Sequence, residues 1–204
     1  MGSAWGRGPV RVDPSGRLRR AANGLPTSEI RALFEAAEGT LWIGTEAGLA
    51  QMVRDDFWSF SERDGLPSGL VYAVAPDSAG GLWLGTVGGL GHLTLGIHGE
   101  PAVRRYGAAE GLPSDWVWAV HVDRRGTVWA GTEAGLCRLR RDRCELFGTE
   151  QGLPSSYVLS LAEFDDSLWV GTTAGVARLE FDAAGEVIRV TPFGRAQGLA
   201  GDRV

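Results

Sequence analysis

Apolar residues along the chain come in short bursts bounded by Gly, Pro, Asp and Ser, with β-branched and aromatic side chains prominent among them. No stretch carries the 3.6-residue recurrence of a helical stripe, so the chain reads as short strands joined by tight turns. Between residues 113 and 147 the pattern predicts a first strand at Val117–Val122, a turn at Asp123-Arg124-Arg125-Gly126 and a second strand at Thr127–Gly131. Glu133-Ala134-Gly135 makes the next turn, Leu136–Leu139 the third strand and Cys144–Phe147 the fourth. Pro113 precedes the first strand, where its missing N–H and fixed φ are tolerated.

This unit recurs. Leu41-Trp42-Ile43-Gly44-Thr45, Leu82-Trp83-Leu84-Gly85-Thr86, Val128-Trp129-Ala130-Gly131-Thr132 and Leu168-Trp169-Val170-Gly171-Thr172 align without adjustment, their tryptophans 41, 46 and 40 residues apart. A second marker, Gly-Leu-Pro, starts at Gly24, Gly65, Gly111 and Gly152, with a degenerate copy at Gly198-Leu199-Ala200. An aromatic residue stands five positions before each later copy: Phe60, Tyr106, Phe147 and Phe193. A four-stranded sheet cannot bury both faces alone, and four strands every 40 to 46 residues is the spacing of propeller blades. The predicted fold is therefore all-β, a β-propeller of four-stranded antiparallel blades forming an arc of a larger ring. Trp42, Trp83, Trp129 and Trp169 are read as wedges between blades. Gly44, Gly85, Gly131 and Gly171 mark a close backbone approach or a bulge, and the Thr after each opens a turn ending at Gly48, Gly89, Gly135 or Gly175, expected at positive φ.

The units divide as 24–64, 65–110, 111–151 and 152–197, with 1–23 as the outer hairpin of a partial blade and 198–204 as the start of a truncated next unit. The hairpin rests on Val10–Arg19, where Asp13-Pro14-Ser15-Gly16 stands ahead of its Gly-Leu-Pro as Asp182-Ala183-Ala184-Gly185 stands ahead of Gly198. Such an arc leaves an unpaired face at each end, which favours self-association.

Composition narrows the function. The chain has 204 residues, 44% hydrophobic and 22% charged, as a soluble globular protein does, but with 31 Gly and 8 Trp. Its net charge of −5 and lack of a large basic cluster argue against nucleic acid, and the stretches Arg17–Arg20 and Arg138–Arg143 are read as solvated hairpins. No apolar run is long enough to span a bilayer, and Met1–Gly8 has no apolar core of an export signal. Cys137 and Cys144 fit no zinc spacing, so no metal or cofactor is expected. Pairing 137 with 144 across a hairpin would allow a disulfide in an oxidising compartment, although two separate thiols is the preferred reading.

The motif Leu-Trp-Ile-Gly-Thr-x-x-Gly-Leu together with Gly-Leu-Pro resembles the two-component regulator propeller repeat, from about Val10 to Leu199. The resemblance implies the extracytoplasmic sensor region of hybrid two-component sensor kinases and related signalling proteins, some of which recognise oligosaccharides. It also implies that transmission needs kinase or output segments not found in these 204 residues.

Propellers bind ligands at the mouth of the central channel, which the residues after Gly-Leu-Pro approach. The first position after Pro is always hydroxylated (Thr27, Ser68, Ser114, Ser155), which suits local bonding to the backbone. Two positions on, the units differ, with Glu29, Leu70, Trp116 and Tyr157; two further come Arg31, Tyr72, Trp118 and Leu159. Tyr72, Trp116, Trp118 and Tyr157 are candidate stacking platforms for sugar rings, with Arg31, Glu29 and Asp115 as polar orienters, although packing between blades also explains the aromatics. His92, His98 and His121 sit at different points of their units, and Asp77, Asp123 and Asp165-Asp166 fit turn caps better than an acid/base pair. The leading function is non-catalytic ligand sensing; the alternatives are a propeller lyase or hydrolase acting on polysaccharide, or a protein-interaction scaffold.

Overall fold

Each burst of alternating residues becomes a strand, and the turns fold every four strands back into one antiparallel sheet. In the computed structural model, which describes residues 10–12, 18–20, 25–27, 29–36, 39–53 and 56–198, four such sheets follow one another along the chain. A hairpin precedes them, β1 (Val10–Val12) against β2 (Leu18–Arg20), with Val12 opposite Leu18. Its turn at Asp13–Gly16, Gly24 of the first Gly-Leu-Pro, and residues 199–204 lie outside the described residues.

The first blade contains β3 (Ile30–Glu35), β4 (Leu41–Thr45), β5 (Gly48–Val53) and β6 (Asp56–Phe60). The second contains β7 (Val71–Pro76), β8 (Leu82–Thr86), β9 (Gly89–Leu95) and β10 (Pro101–Tyr106). The third has β11 (Val117–Val122), β12 (Val128–Thr132), β13 (Gly135–Arg140) and β14 (Arg143–Phe147), within a residue of the strands predicted from its sequence. The fourth has β15 (Val158–Phe164), β16 (Ser167–Thr172), β17 (Gly175–Phe181) and β18 (Val187–Phe193). The first strands β3, β7, β11 and β15 neighbour one another in turn, and the second strand of each blade also touches the first strand of the next. Among the described residues no sheet joins the first blade to the fourth, so the fold is an arc of a propeller.

The tryptophans explain why the blades stack, and the first three each pack towards the blade that follows. Trp42 packs among Leu66, Val71, Leu82, Leu84 and Leu93 of the second blade. Trp83 meets Leu112, Val117, Val128 and Cys137 of the third, and Trp129 meets Leu153, Val158, Leu168 and Val170 of the fourth. Trp129 is fully buried, with its indole N–H donated to Asp123 Oδ2 at 3.0 Å. Trp169 differs: no described blade follows it, and it is only half-buried against Phe193, ring centroids 5.4 Å apart. The repeated glycine makes this stacking close. A Cβ on Gly44 would stand 2.8 Å from the Val71 carbonyl oxygen of the next blade, and one on Gly85 2.9 Å from that of Val117. The threonine that follows is wholly buried in every blade and donates to the carbonyl three residues on, as Thr132 does to Gly135 at 2.8 Å. Gly48, Gly89, Gly135 and Gly175 all have positive φ, as expected.

Three features depart from the sequence reading. A single 3-10 turn precedes each later Gly-Leu-Pro and the degenerate copy at Gly198, at Glu62–Asp64, Ala108–Glu110, Thr149–Gln151 and Arg195–Gln197. In each, the last side chain accepts from the amide three residues earlier, as Glu110 Oε2 does from Gly107 at 2.9 Å. Cys137 and Cys144 are joined in a disulfide rather than left as separate thiols, and their register differs as well: Cys137 lies opposite Leu146 and Cys144 opposite Leu139, with Cα atoms 5.3 Å apart. Lastly, Arg138 is not on a solvated hairpin. It is 1% exposed and bonded to Glu145, Glu186 and the Gly185 carbonyl, its guanidinium carbon 5.6 Å from the Trp129 ring centroid. The Trp face and three acceptors offset the desolvation of that charge.

Candidate functional site at the channel mouth

A shared irregularity of the innermost strands aims the site's side chains. Pairing with the second strand slips by one residue between Ile30 and Ala32, Val71 and Ala73, Val117 and Ala119, and Val158 and Ser160. The residues left out of the ladder are Arg31, Tyr72, Trp118 and Leu159. A bulged residue is released from strict alternation and re-aimed. The residues opposite the slip are Gly44, Gly85, Gly131 and Gly171, and at the first three of them the next blade approaches closely at the same level.

Five of the predicted residues meet in one arc. The Arg31 guanidinium carbon lies 5.8 Å from the centroid of Tyr72, and Tyr72 is 4.6 Å from Trp118. Trp118 stacks on Tyr157 at 5.9 Å with 28° between the rings, and Trp116 is tilted against it at 5.3 Å. The fourth blade joins through Tyr157 because its bulge position holds Leu159. Trp116 is 43% exposed, whereas Tyr72, Trp118 and Tyr157 are half-buried. The Trp118 indole N–H is shielded and has no acceptor among the described residues.

Glu29 and Asp115 stand at the edge of this arc rather than in it. Both are exposed, and both hold the rim through their carbonyls, which accept from Glu46 N at 3.2 Å and Gly89 N at 2.8 Å. Two carboxylates missed in the sequence adjoin them. Glu46 pairs with Arg31, and Glu133 accepts from Ser114 Oγ at 3.0 Å. The bond that Arg31 donates to Glu46 holds its guanidinium above its ordinary pKa. Their signal was present, since the residue after each Gly-Thr pair varies as Glu46, Val87, Glu133 and Thr173. Thr27, Ser68, Ser114 and Ser155 each accept from the amide two residues on, at 3.1 to 3.3 Å, which is the local bonding expected of them.

The remaining polar residues hold turns and blade contacts. Asp123 Oδ1 accepts from Arg125 N and Thr127 N, so this carboxylate caps its turn and anchors Trp129 as well. Asp77 instead bonds His92 Nε2 at 2.8 Å, and His92 lies flat on Trp83 at 4.2 Å. Burial raises the Asp77 pKa, but the bonds from His92, the Ala79 amide and the Ser78 side chain outweigh it and hold the carboxyl below its ordinary value. At the far end of β11, His121 Nε2 is 3.5 Å from Glu163 Oε2 of the neighbouring blade. Among the described residues no cluster of His, Cys, Asp or Glu could hold a metal ion, and no helix is long and apolar enough to cross a membrane.

Known proteins carry similar repeats. The profile of the two component regulator propeller matches residues 24–47, 65–88 and 111–134, each running from Gly-Leu-Pro through the innermost strand and the Trp strand into the Thr turn. The chain carries repeats of that family. No curated protein matches it significantly. Among solved structures it resembles the extracellular domain of BT3049 from B. thetaiotaomicron, described as a hybrid two component system, with 21% identity and a TM-score of 0.71. That match covers 85% of this chain and 24% of the other. The extracellular domain of BT4673 from B. thetaiotaomicron, described as a one component system, gives 22% identity and a TM-score of 0.67 over 83% of this chain and 25% of the other. Virginiamycin B lyase from Staphylococcus aureus gives 14% identity and a TM-score of 0.69, over 90% of this chain and 61% of the lyase. At these identities the likeness is one of fold, and the chain spans about a quarter of the length of the two sensor domains.

Proposed function

We propose that the chain is a ligand-sensing segment of an extracytoplasmic two-component sensor, and that its ligand is an uncharged oligosaccharide stacked on the aromatic arc at the channel mouth. The observation that carries this reading is the convergence of Tyr72, Trp116, Trp118 and Tyr157 from three successive blades, with one Trp left half-exposed. A pyranose ring presents an apolar C–H face that fits such a platform, and its hydroxyls can donate to carboxylates around the rim. Glu29, Glu46, Asp115 and Glu133 outnumber Arg31 there, which disfavours sugars carrying acid groups. The family repeats support a role in signalling, and the Cys137–Cys144 disulfide supports an oxidising compartment. Transmission to an output belongs to other segments of a sensor.

Calorimetric titration with neutral hexasaccharides (cello-, xylo- and manno-) beside acidic ones (oligogalacturonate, chondroitin) tests this. Saturable heat with a neutral sugar and a change in Trp fluorescence are expected. Silence across both sets would overturn the site. Cleavage of any of these sugars would move the chain to the lyase or hydrolase reading, in which His121 beside Glu163 is the pair to examine.

A further inference from the structure

We propose that the outer-rim cleft between the second and third blades, built by the turn Arg141-Asp142, is a binding site for a tetrahedral oxyanion: a sulfate or phosphate group, free or carried on a sugar. It lies on outer strands, apart from the channel mouth, and does not depend on the sensing reading above.

The first observation is backbone strain. β13 and β14 are joined by two residues, Arg141 and Asp142, with φ of 45° and 66°. A two-residue turn with both residues left-handed favours Asn-Gly, because a Cβ resists positive φ. Asp tolerates the region, and every other described non-glycine residue with positive φ is an aspartate. Arg141 is the exception. Strain of this kind, kept where a better-suited residue is available, points to a role for the side chain.

The second observation is where the turn holds that side chain. Asp142 reaches across the blade boundary, accepting from the Tyr106 hydroxyl at 3.0 Å and pairing with Arg104 at 2.9 Å. Arg104, Arg141 and Arg143 thereby line one cleft of about 200 Å³, with Ala109 and Glu110. Both carboxylates in it are engaged, Asp142 as described and Glu110 with the Gly107 amide. Arg141 and Arg143 have no ion pair among the described residues. Two free guanidinium groups beside a third, in a chain of net charge −5, make a local cationic fork suited to an oxyanion.

Arg141→Asn separates charge from backbone, because Asn suits the left-handed turn while removing the cation. NMR titrations of the chain at constant ionic strength would follow the arginine Nε–H signals with sodium sulfate against sodium chloride, and with glucose 6-sulfate against glucose. Saturable shifts at Arg104, Arg141 and Arg143 are expected with the two sulfates, weakened about tenfold or more in Arg141→Asn, which melts no lower than wild type. Arg143→Gln gives an independent loss. Tighter binding of glucose 6-sulfate would assign the group to a sugar, and equal binding to the free ion. An Arg141→Asn chain that titrates like wild type, or a sulfate response no different from chloride, would overturn the site.

Discussion

Replacing Trp129 by Ala removes the best-buried wedge between the third and fourth blades. Burying an indole takes about 200 Å² from water, worth about 5 kcal/mol at most. The variant also deprives Asp123 Oδ2 of its 3.0 Å donor and Arg138 of the ring beneath it, a further ~1 kcal/mol. The cavity sits between two close-packed sheets that cannot readily collapse, so the expected cost is about 4 to 5 kcal/mol. Trp169, in the same repeat position, is half-buried and has no described blade over it; its removal should cost about 2 kcal/mol. Urea unfolding followed by far-UV circular dichroism, with the slope compared between variants, measures both. Equal losses for Trp129→Ala and Trp169→Ala, or a loss below about 1 kcal/mol for Trp129, would refute the forward-pointing wedge.

Other outcomes follow from single contacts. Burial, followed by the bond to Asp142, pushes the Tyr106 phenol up to about 12; its stabilisation should be complete below the unfolded value near pH 10 and lost as pH rises through 12, in melts that Tyr106→Phe flattens. Asp77 works in the opposite sense. Its lowered pKa gives stability present above the ordinary carboxylate value and lost as pH falls through the folded one, so Asp77→Asn should remove part of the acid sensitivity seen on titration below about pH 4. Reducing the Cys137–Cys144 disulfide, which spans seven residues, should cost about 2 kcal/mol in melts with and without a reductant.

The repeat made the blades legible, because a sheet that cannot bury both faces must recur at a fixed period, and both markers kept that period through all four units. The candidate site was legible for a related reason: positions that vary while Trp, Gly and Thr stay constant are free to specialise, and Tyr72, Trp116, Trp118 and Tyr157 are such positions. The bulge was not legible. Alternation assigns a face but does not show that Arg31, Tyr72 and Trp118 leave the ladder, because a one-residue slip in pairing leaves no mark on the hydrophobic pattern. The 3-10 turns were too short for periodicity, and their one cue was an Asp, Glu or Gln before Gly-Leu-Pro, at Asp64, Glu110, Gln151 and Gln197. Turn geometry set the cysteine register. The strained Arg141-Asp142 turn shifted pairing so that neither cysteine faces the other directly. Arg138 went unrecognised because its acceptor Glu186 lies 48 residues away in another blade.

Two tryptophans of similar exposure give the most direct test of ligand sensing at the channel mouth: Trp116 in the arc, 43% exposed, and Trp58 on the outermost strand of the first blade, 50% exposed. Each is changed to Ala and titrated calorimetrically with the neutral hexasaccharide that binds wild type. Binding should weaken tenfold or more in Trp116→Ala, from the lost stacking contact, and stay unchanged in Trp58→Ala, with both variants melting near wild type. Wild-type affinity in Trp116→Ala, or the same loss in both, would contradict a site at the channel mouth.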